Sequence, residues 1–227
     1  MKELNYKIVR SAKRKTLTIT VERDRSVVVH VPQETPEDEV HRIMDEKRQW
    51  ILEKLRHPQK YEEPVPPGKE VVNGESALYL GREYRIEVTD TRSGDVELSR
   101  HFLVPPARQA KRHKVLRDWY ISQAQDKILP RAKQHAAELG VNFKSVKIVD
   151  NRYRWGSCTV GDSVNLNWRL IKAPMFVIDY VIVHELAHLI EANHTAEFWS
   201  IVRAKTATME KAKSWLKEHG QLLEEEV

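Results

Sequence analysis

The sequence predicts an α+β fold, and three features carry that expectation. Short alternating segments rich in β-branched and aromatic residues gather in two places, residues 6–31 and 77–104. A longer stretch whose apolar residues keep helical spacing follows the first, and a long helical stretch introduced by Pro105-Pro106 follows the second. Towards the C-terminus, residues 175–183 (MFVIDYVIV) are apolar almost without interruption. A helix that is apolar all round belongs in the core of a domain, and this one is far shorter than the roughly 20 apolar residues of a membrane span.

Composition sets the frame for these elements. A chain of 227 residues holds one large domain or two small ones. Its 41% hydrophobic content is enough for a core, and its 31% charged content speaks for a soluble protein. No apolar run reaches membrane-span length, and the opening MKELNYKIVRSAKRK lacks the apolar centre of a signal peptide. The single cysteine, Cys158, permits no intramolecular disulfide. No membrane association and cytoplasmic residence are therefore the expectations. A net charge of +5, from 38 basic and 33 acidic residues, is too mild to mark a nucleic-acid binder by itself.

In order along the chain, residues 6–9, 16–21 and 26–31 read as three strands of a small antiparallel meander. Thr35-Pro36-Glu37-Asp38 reads as a helix start, with Thr35 as cap and Pro36 in the first turn. Val40, Ile43, Met44, Ile51 and Leu55 continue it at packing-face spacing. Residues 57–70 contain Pro58, Pro64, Pro66, Pro67 and Gly68, the clearest linker in the chain. The expected organisation is a β-meander-and-helix subdomain over 1–57, a Pro-rich linker over 58–70, and a larger region over 71–227. Fewer than about 60 residues form a marginal core alone, so the subdomain is expected to be tied to the rest.

The second β-rich region holds candidate strands at 77–80, 84–88, 96–98 and 102–104, with turns at Gly81 and Ser93-Gly94. Pro105-Pro106 introduces a long helix to about Leu139 with Gly140 as its C-cap, and Pro130 should kink or divide it. Its first turns carry Arg108, Lys111, Arg112, His113, Lys114 and Arg117 before the first acid, Asp118. Such a run is a solvated helix face or a weak phosphate- or nucleic-acid-contacting patch. No aromatic residues interleave with it, so a stacking platform for single strands is not indicated. Residues 146–149 and 164–170 read as strands flanking the segment NRYRWGSC at 151–158. Residues 206–223 read as a polar helix, and 224–227 as a frayed tail.

The chemistry lies in residues 181–199, VIVHELAHLIEANHTAEFW. His184, Glu185 and His188 form an H-E-x-x-H motif. Residues four apart on a helix lie about 40° apart round its axis, so both imidazoles can reach one Zn²⁺ at roughly 2.0–2.1 Å. Glu185 lies about 100° round from His184, beside the metal, where a carboxylate can hold and deprotonate a metal-bound water. On a continuing helix His194 would sit about 240° round from His188 and roughly 9 Å further along. If it is the third ligand, the helix must stop and the chain turn back. Asn193 is the expected left-handed residue at that stop, and Thr195 can cap a following helix holding Phe198 and Trp199.

The strings RWGSC and HELAHLIEANHTAEFW, together with RSAKRKTLTITV, KRQWILEKL and NGESALYLGREYRIEV, resemble the YgjP-like metallopeptidases, a family of predicted zinc hydrolases related to SprT-like and WLM proteases. The resemblance covers nearly the whole chain. It implies His184, His188 and His194 as metal ligands and Glu185 as general base. It also implies a zincin-like fold, with the metal helix packed beside a small mixed sheet and a cleft between them. In such folds an extended substrate can align along an edge strand, and 164–170 is the candidate. The three histidines have the spacing of the metzincin pattern, but Glu191 stands where that pattern keeps glycine, so the chain reversal differs. Glu191 is itself an alternative carboxylate ligand.

Around the motif, Tyr153, Arg154, Trp155, Gly156 and Tyr180 are candidate substrate or oxyanion contacts. Gly156 can allow close backbone approach, and Arg154 or Tyr153 can stabilise an oxyanion. Cys158 reads as a small buried residue ahead of a nucleophile. The expected activity is hydrolysis using one Zn²⁺ per chain, with other divalent metals as alternatives, on a peptide or protein. Two other readings stand beside it. One is a nucleotide phosphoanhydride hydrolase, motivated by the basic run and by Arg152, Arg154 and Arg169. The other is a metal-stabilised nucleic-acid-binding module without turnover.

Overall fold

The computed structural model describes residues 4–22, 25–55, 68–91, 94–151 and 154–226. It divides into two compact units, Met1–Val65 and Pro66–Val227. Most of the expected linker, 58–70, and the turn residue Ser93 lie outside the described residues.

The first unit contains β1 (Lys7–Ser11), β2 (Thr18–Val21) and β3 (Val27–Pro32). Their order is β1-β3-β2, with β3 parallel to β1 and antiparallel to β2. This corrects the expected antiparallel meander. Alternation reveals which face of a strand is buried but not which strand lies beside it. β3, VVVHVP, is the most apolar of the three and takes the centre, burying Val27, Val29 and Val31. Two helices follow, α1 (Glu37–Glu46) and α2 (Arg48–Leu55), separated at Lys47. Pro36, not Thr35, holds the N-cap position, and no side chain caps the helix. Glu37, Asp38 and Glu39 instead place negative charge against its positive end. Val40, Met44 and Ile51 complete the core of this unit.

The second unit opens with β4 (Ser76–Tyr79), β5 (Arg82–Val88), β6 (Glu97–Leu98) and β7 (Phe102–Val104), in the order β4-β5-β7-β6. Then α3 (Gln109–Leu139) buries Leu116, Tyr120, Ala124, Ile128, Ala132 and Ala136, one stripe at four-residue spacing. Gly140 ends it in the left-handed conformation, φ 71°. Pro130 does not divide α3, because it lies off the buried stripe, where a carbonyl freed from the ladder can bond to water.

A second sheet contains β8 (Ser145–Val149), β9 (Gly156–Cys158) and β10 (Ser163–Asn167), in the order β8-β10-β9. β10 is central, parallel to β8 and antiparallel to β9. This overturns the expectation that 164–170 is an edge strand. The strand also stops sooner than its alternation suggests, giving way to a 3-10 turn at Trp168–Lys172. Asn167 explains the stop. Its side-chain oxygen accepts from the Arg169 N–H at 3.0 Å, while its amide nitrogen donates to the carbonyls of Asn151 and Arg154.

Three helices complete the unit: α4 (Met175–Ala187), α5 (Ala196–Lys205) and α6 (Met209–Glu224). The N-terminal end of α4 is held by the turn between β4 and β5, where Gly81 has φ 77°. A Cβ on Gly81 would come within 2.5 Å of the Pro174 ring, so both its conformation and its space call for glycine. The chain's last described residues are anchored, not frayed. Glu224 is buried, and the buried Lys172 donates to the carbonyls of Leu223 and Glu225 at 3.3 and 2.7 Å. Among the described residues, no helix is long and apolar enough to cross a membrane.

Candidate metal centre

α4 is the backbone of the site. It is buried along Val177, Ile178, Val181, Ile182, Val183 and Leu186, so the core fixes its orientation. His184 and Glu185 lie on it, and His188 is its C-cap with φ −66° and ψ −14°, still helical values. The shared face of His184 and His188 is therefore kept. Beyond His188 the helix tapers through shorter-range bonds, with Leu189 N–H donating to Leu186 O and Ile190 N–H to Ala187 O, both at 3.0 Å.

The chain then reverses without the left-handed residue expected at Asn193, which is not among the positive-φ positions. Glu191 makes the turn instead. Its carboxylate accepts from the Asn193 N–H at 3.0 Å, and the Thr195 N–H bonds to Asn193 O at 2.8 Å. A side-chain acceptor thus replaces special backbone geometry. Thr195 then caps α5 by accepting from the Phe198 N–H at 3.3 Å.

These turns bring the three histidines together. One ligand atom from each of His184, His188 and His194 lies within 4.8 Å of the others. Nε2 of His184 and Nε2 of His194 face each other at 3.1 Å. Phe198, fully buried, lies against all three rings, with centroids 5.0, 4.5 and 4.7 Å from those of His184, His188 and His194. Trp199 stacks on His194 at 5.5 Å and 25°. The sequence places these aromatics on the following helix without revealing their service to the cluster. The available signal is an apolar pair in the otherwise polar stretch NHTAEFWS.

Burial drives the pKa of His184 down to about 3, and its histidine neighbours add to the effect. Burial and His188 also lower that of His194. Rings held neutral keep a lone pair for a metal. His188 Nδ1 faces Glu191 O at 3.2 Å. A carbonyl can only accept, so Nδ1 carries the proton and Nε2 is left as the ligand atom. Nδ1 of His184 is buried without a hydrogen-bond partner among the described residues. Three ring nitrogens this close together are a donor set that fits a divalent metal ion.

Glu185, beside the cluster, is 7% exposed and lies against Gly156 of β9. Tyr180 is buried with its ring edge towards His184 at 5.9 Å, and burial, followed by Glu210 and Glu185, pushes its phenol up to about 12. Arg154 is exposed and Trp155 buried. Tyr153 and Arg152 lie outside the described residues. Burial pushes the Cys158 thiol up, and Glu185 and Asp162 push it the same way, which disfavours a nucleophilic thiolate. Glu191 is occupied in the turn and is not part of the three-histidine group.

Part of the basic run on α3 is paired within the protein. Arg112 donates to Val71 O, Ala107 O and Gln109, Lys114 pairs with Asp118, and Arg117 pairs with Asp150. Arg169, which the sequence offers as a possible phosphate contact near the site, is buried and bonded to Asp150. Asp150 itself is held below the ordinary carboxylate range. Its partial burial works the other way but is outweighed by Arg169, Trp168 and Arg117.

No curated protein matches the chain. Among solved structures, the zymogen of the metallopeptidase abylysin from Pyrococcus abyssi is similar over 44% of this chain and 99% of its own, at 21% identity and TM-score 0.37. The zymogen of jannalysin from Methanocaldococcus jannaschii is similar over 42% and 97%, at 20% identity and TM-score 0.35. Residues 15–219 match the family described as YgjP-like, metallopeptidase domain. The chain, with its mixed α+β architecture and histidine cluster, belongs to the YgjP-like metallopeptidase family.

Proposed function

We propose that the chain is a zinc-dependent peptidase of zincin-like design, with His184, His188 and His194 as ligands of a single ion and Glu185 as general base. The observation that carries this reading is the convergence of three imidazoles beside a buried carboxylate. A zinc ion held there would supply Lewis-acid chemistry for the scissile carbonyl and the attacking water.

The chain's residues do the rest. Glu185 accepts a proton from the attacking water and delivers it to the leaving amine. The Glu191 carbonyl fixes the tautomer and orientation of His188. Phe198 and Trp199 wall the histidines off from solvent on one side. β9, the edge strand beside α4, offers its backbone to an extended peptide, in place of the central β10. Tyr180 shapes the wall next to His184.

The test is direct. Zinc-loaded protein is incubated with dye-labelled casein, a peptide library and each nucleoside triphosphate, alongside Glu185→Gln. Peptide-bond turnover that falls about 10²–10⁴-fold in the variant, with zinc retained, supports the reading. Consumption of a nucleoside triphosphate in place of peptides, or a variant as active as the wild type, refutes it.

A further inference from the structure

Gly156 begins β9 and is not among the residues with positive φ, so its backbone does not call for glycine. The space around it does. An ideal Cβ on Gly156 would lie 2.5 Å from Glu185 Cγ, 2.6 Å from Oε1 and 2.8 Å from Cδ. Real Cβ atoms essentially never approach within 3.0 Å, so something would have to move. All three contacts belong to one side chain, that of Glu185.

The strand cannot be the part that yields. Gly156, Ser157 and Cys158 are in register with Leu166, Asn165 and Val164 of β10. The Asn167 N–H bonds to Trp155 O at 2.8 Å, and the Asn167 amide holds Arg154 O at the same distance. α4 is equally fixed by its buried flank. What gives way is the Glu185 side chain, which is buried and borders His184 in sequence.

We propose that Gly156 is a positioning residue for Glu185, its missing side chain forming the seat in which the carboxylate rests. This rests on the reading of Glu185 as general base. It also gives the RWGSC string a physical purpose, because the glycine of β9 sets where the proton acceptor of α4 stands. A misplacement of about 1 Å can lower a rate about 10²-fold.

The experiment is a double-mutant cycle with Gly156→Ala and Glu185→Ala, each variant loaded with zinc and assayed on dye-labelled casein. Metal content and urea midpoint are measured in parallel. Gly156→Ala is expected to keep its zinc and its KM while kcat falls about 10²-fold. In the Glu185→Ala background, where the space is empty, the same change should alter turnover by no more than about 2-fold. It should lower the urea midpoint only when Glu185 is present, because alanine is otherwise the better strand residue.

Equal losses in both backgrounds, or a wild-type kcat for Gly156→Ala, overturn the proposal. If Gly156→Ala does not fold, recovery of folding in the double variant supports the seat, and failure of both variants to fold overturns it. Wild-type turnover by Glu185→Gln sinks the general-base reading and this proposal with it, whereas additive losses in the cycle sink the proposal alone.

Discussion

α4 carries two clusters of ionisable groups that are built on opposite rules. On one side, Asp179 accepts both arms of Arg131, Nε and Nη2, at 2.6 Å, and meets His135 at 3.2 Å. His135 in turn faces Glu138 at 3.3 Å. About 140° further round the helix, the described groups around His184 are imidazoles and aromatic rings, and its Nε2 faces another imidazole nitrogen, that of His194. Histidine occurs in both, so residue type does not separate them. The difference lies in whether the protein itself completes each group's bonding. A cluster that is complete pins α4 to α3, and one that is incomplete is ready to take a ligand.

The sharpest break comes at the incomplete cluster. His188→Ala should lose its zinc and lower peptidase turnover by more than about 10²-fold, the loss that removing even an outer partner of a ligand can cause. Metal analysis of the purified variant and a casein assay check this, and a wild-type zinc content would count against the ligand assignment. Phe198→Ala should cost about 3–5 kcal/mol of stability, because the cavity lies beneath all three rings. Phe198→Leu should keep the fold while weakening zinc binding, as measured by competition with a chromogenic chelator.

The complete cluster should respond in stability and not in metal. Asp179→Asn should destabilise by about 1–3 kcal/mol, since it removes the acceptor of a charged fork, and leave zinc binding intact in the same chelator competition. Its pH dependence follows from the carboxyl's lowered pKa. Burial works to raise that pKa, but the bonds and charges of His135 and Arg131 outweigh it. The stability supplied by Asp179 is thus fully present above the unfolded value of about 3.9 and is lost as pH falls through the lower folded value. The gap between wild type and Asp179→Asn in urea titrations should be constant above about pH 5 and close below it. The smallest effect should come from Thr195→Ala, about 1 kcal/mol for one lost cap, visible as a small drop in melting temperature.

Much of this is legible in the sequence, for reasons that differ by element. α4 announces itself through Met175 to Val183 and the motif behind them, and α3 through Pro105-Pro106 before it and Gly140 at its end. Those signals are local. The order β1-β3-β2 and the central place of β10 depend on which strands meet, a long-range fact that alternation in Val27–Pro32 or Ser163–Asn167 does not encode. The need for a reversal before His194 is legible, but its agent is not, because a Glu191 carboxylate bonded to a backbone N–H leaves no mark in local propensity. Gly156 reads as a place of close approach, while its partner, Glu185, emerges only once β9 lies beside α4. The anchoring of Glu224 and Glu225 is likewise hidden, since it requires the buried Lys172.

Asn167 has a consequence that reaches from the sheet to α4. Its amide nitrogen points at two carbonyl oxygens, those of Asn151 and Arg154, and no hydrogen-bond acceptor could stand in its place. Deamidation, which changes the shape of the side chain hardly at all, would set oxygen against oxygen in a fully buried spot. Repulsion there would push Arg154 away from the start of β9, so one amide nitrogen guards the alignment of β9 with α4.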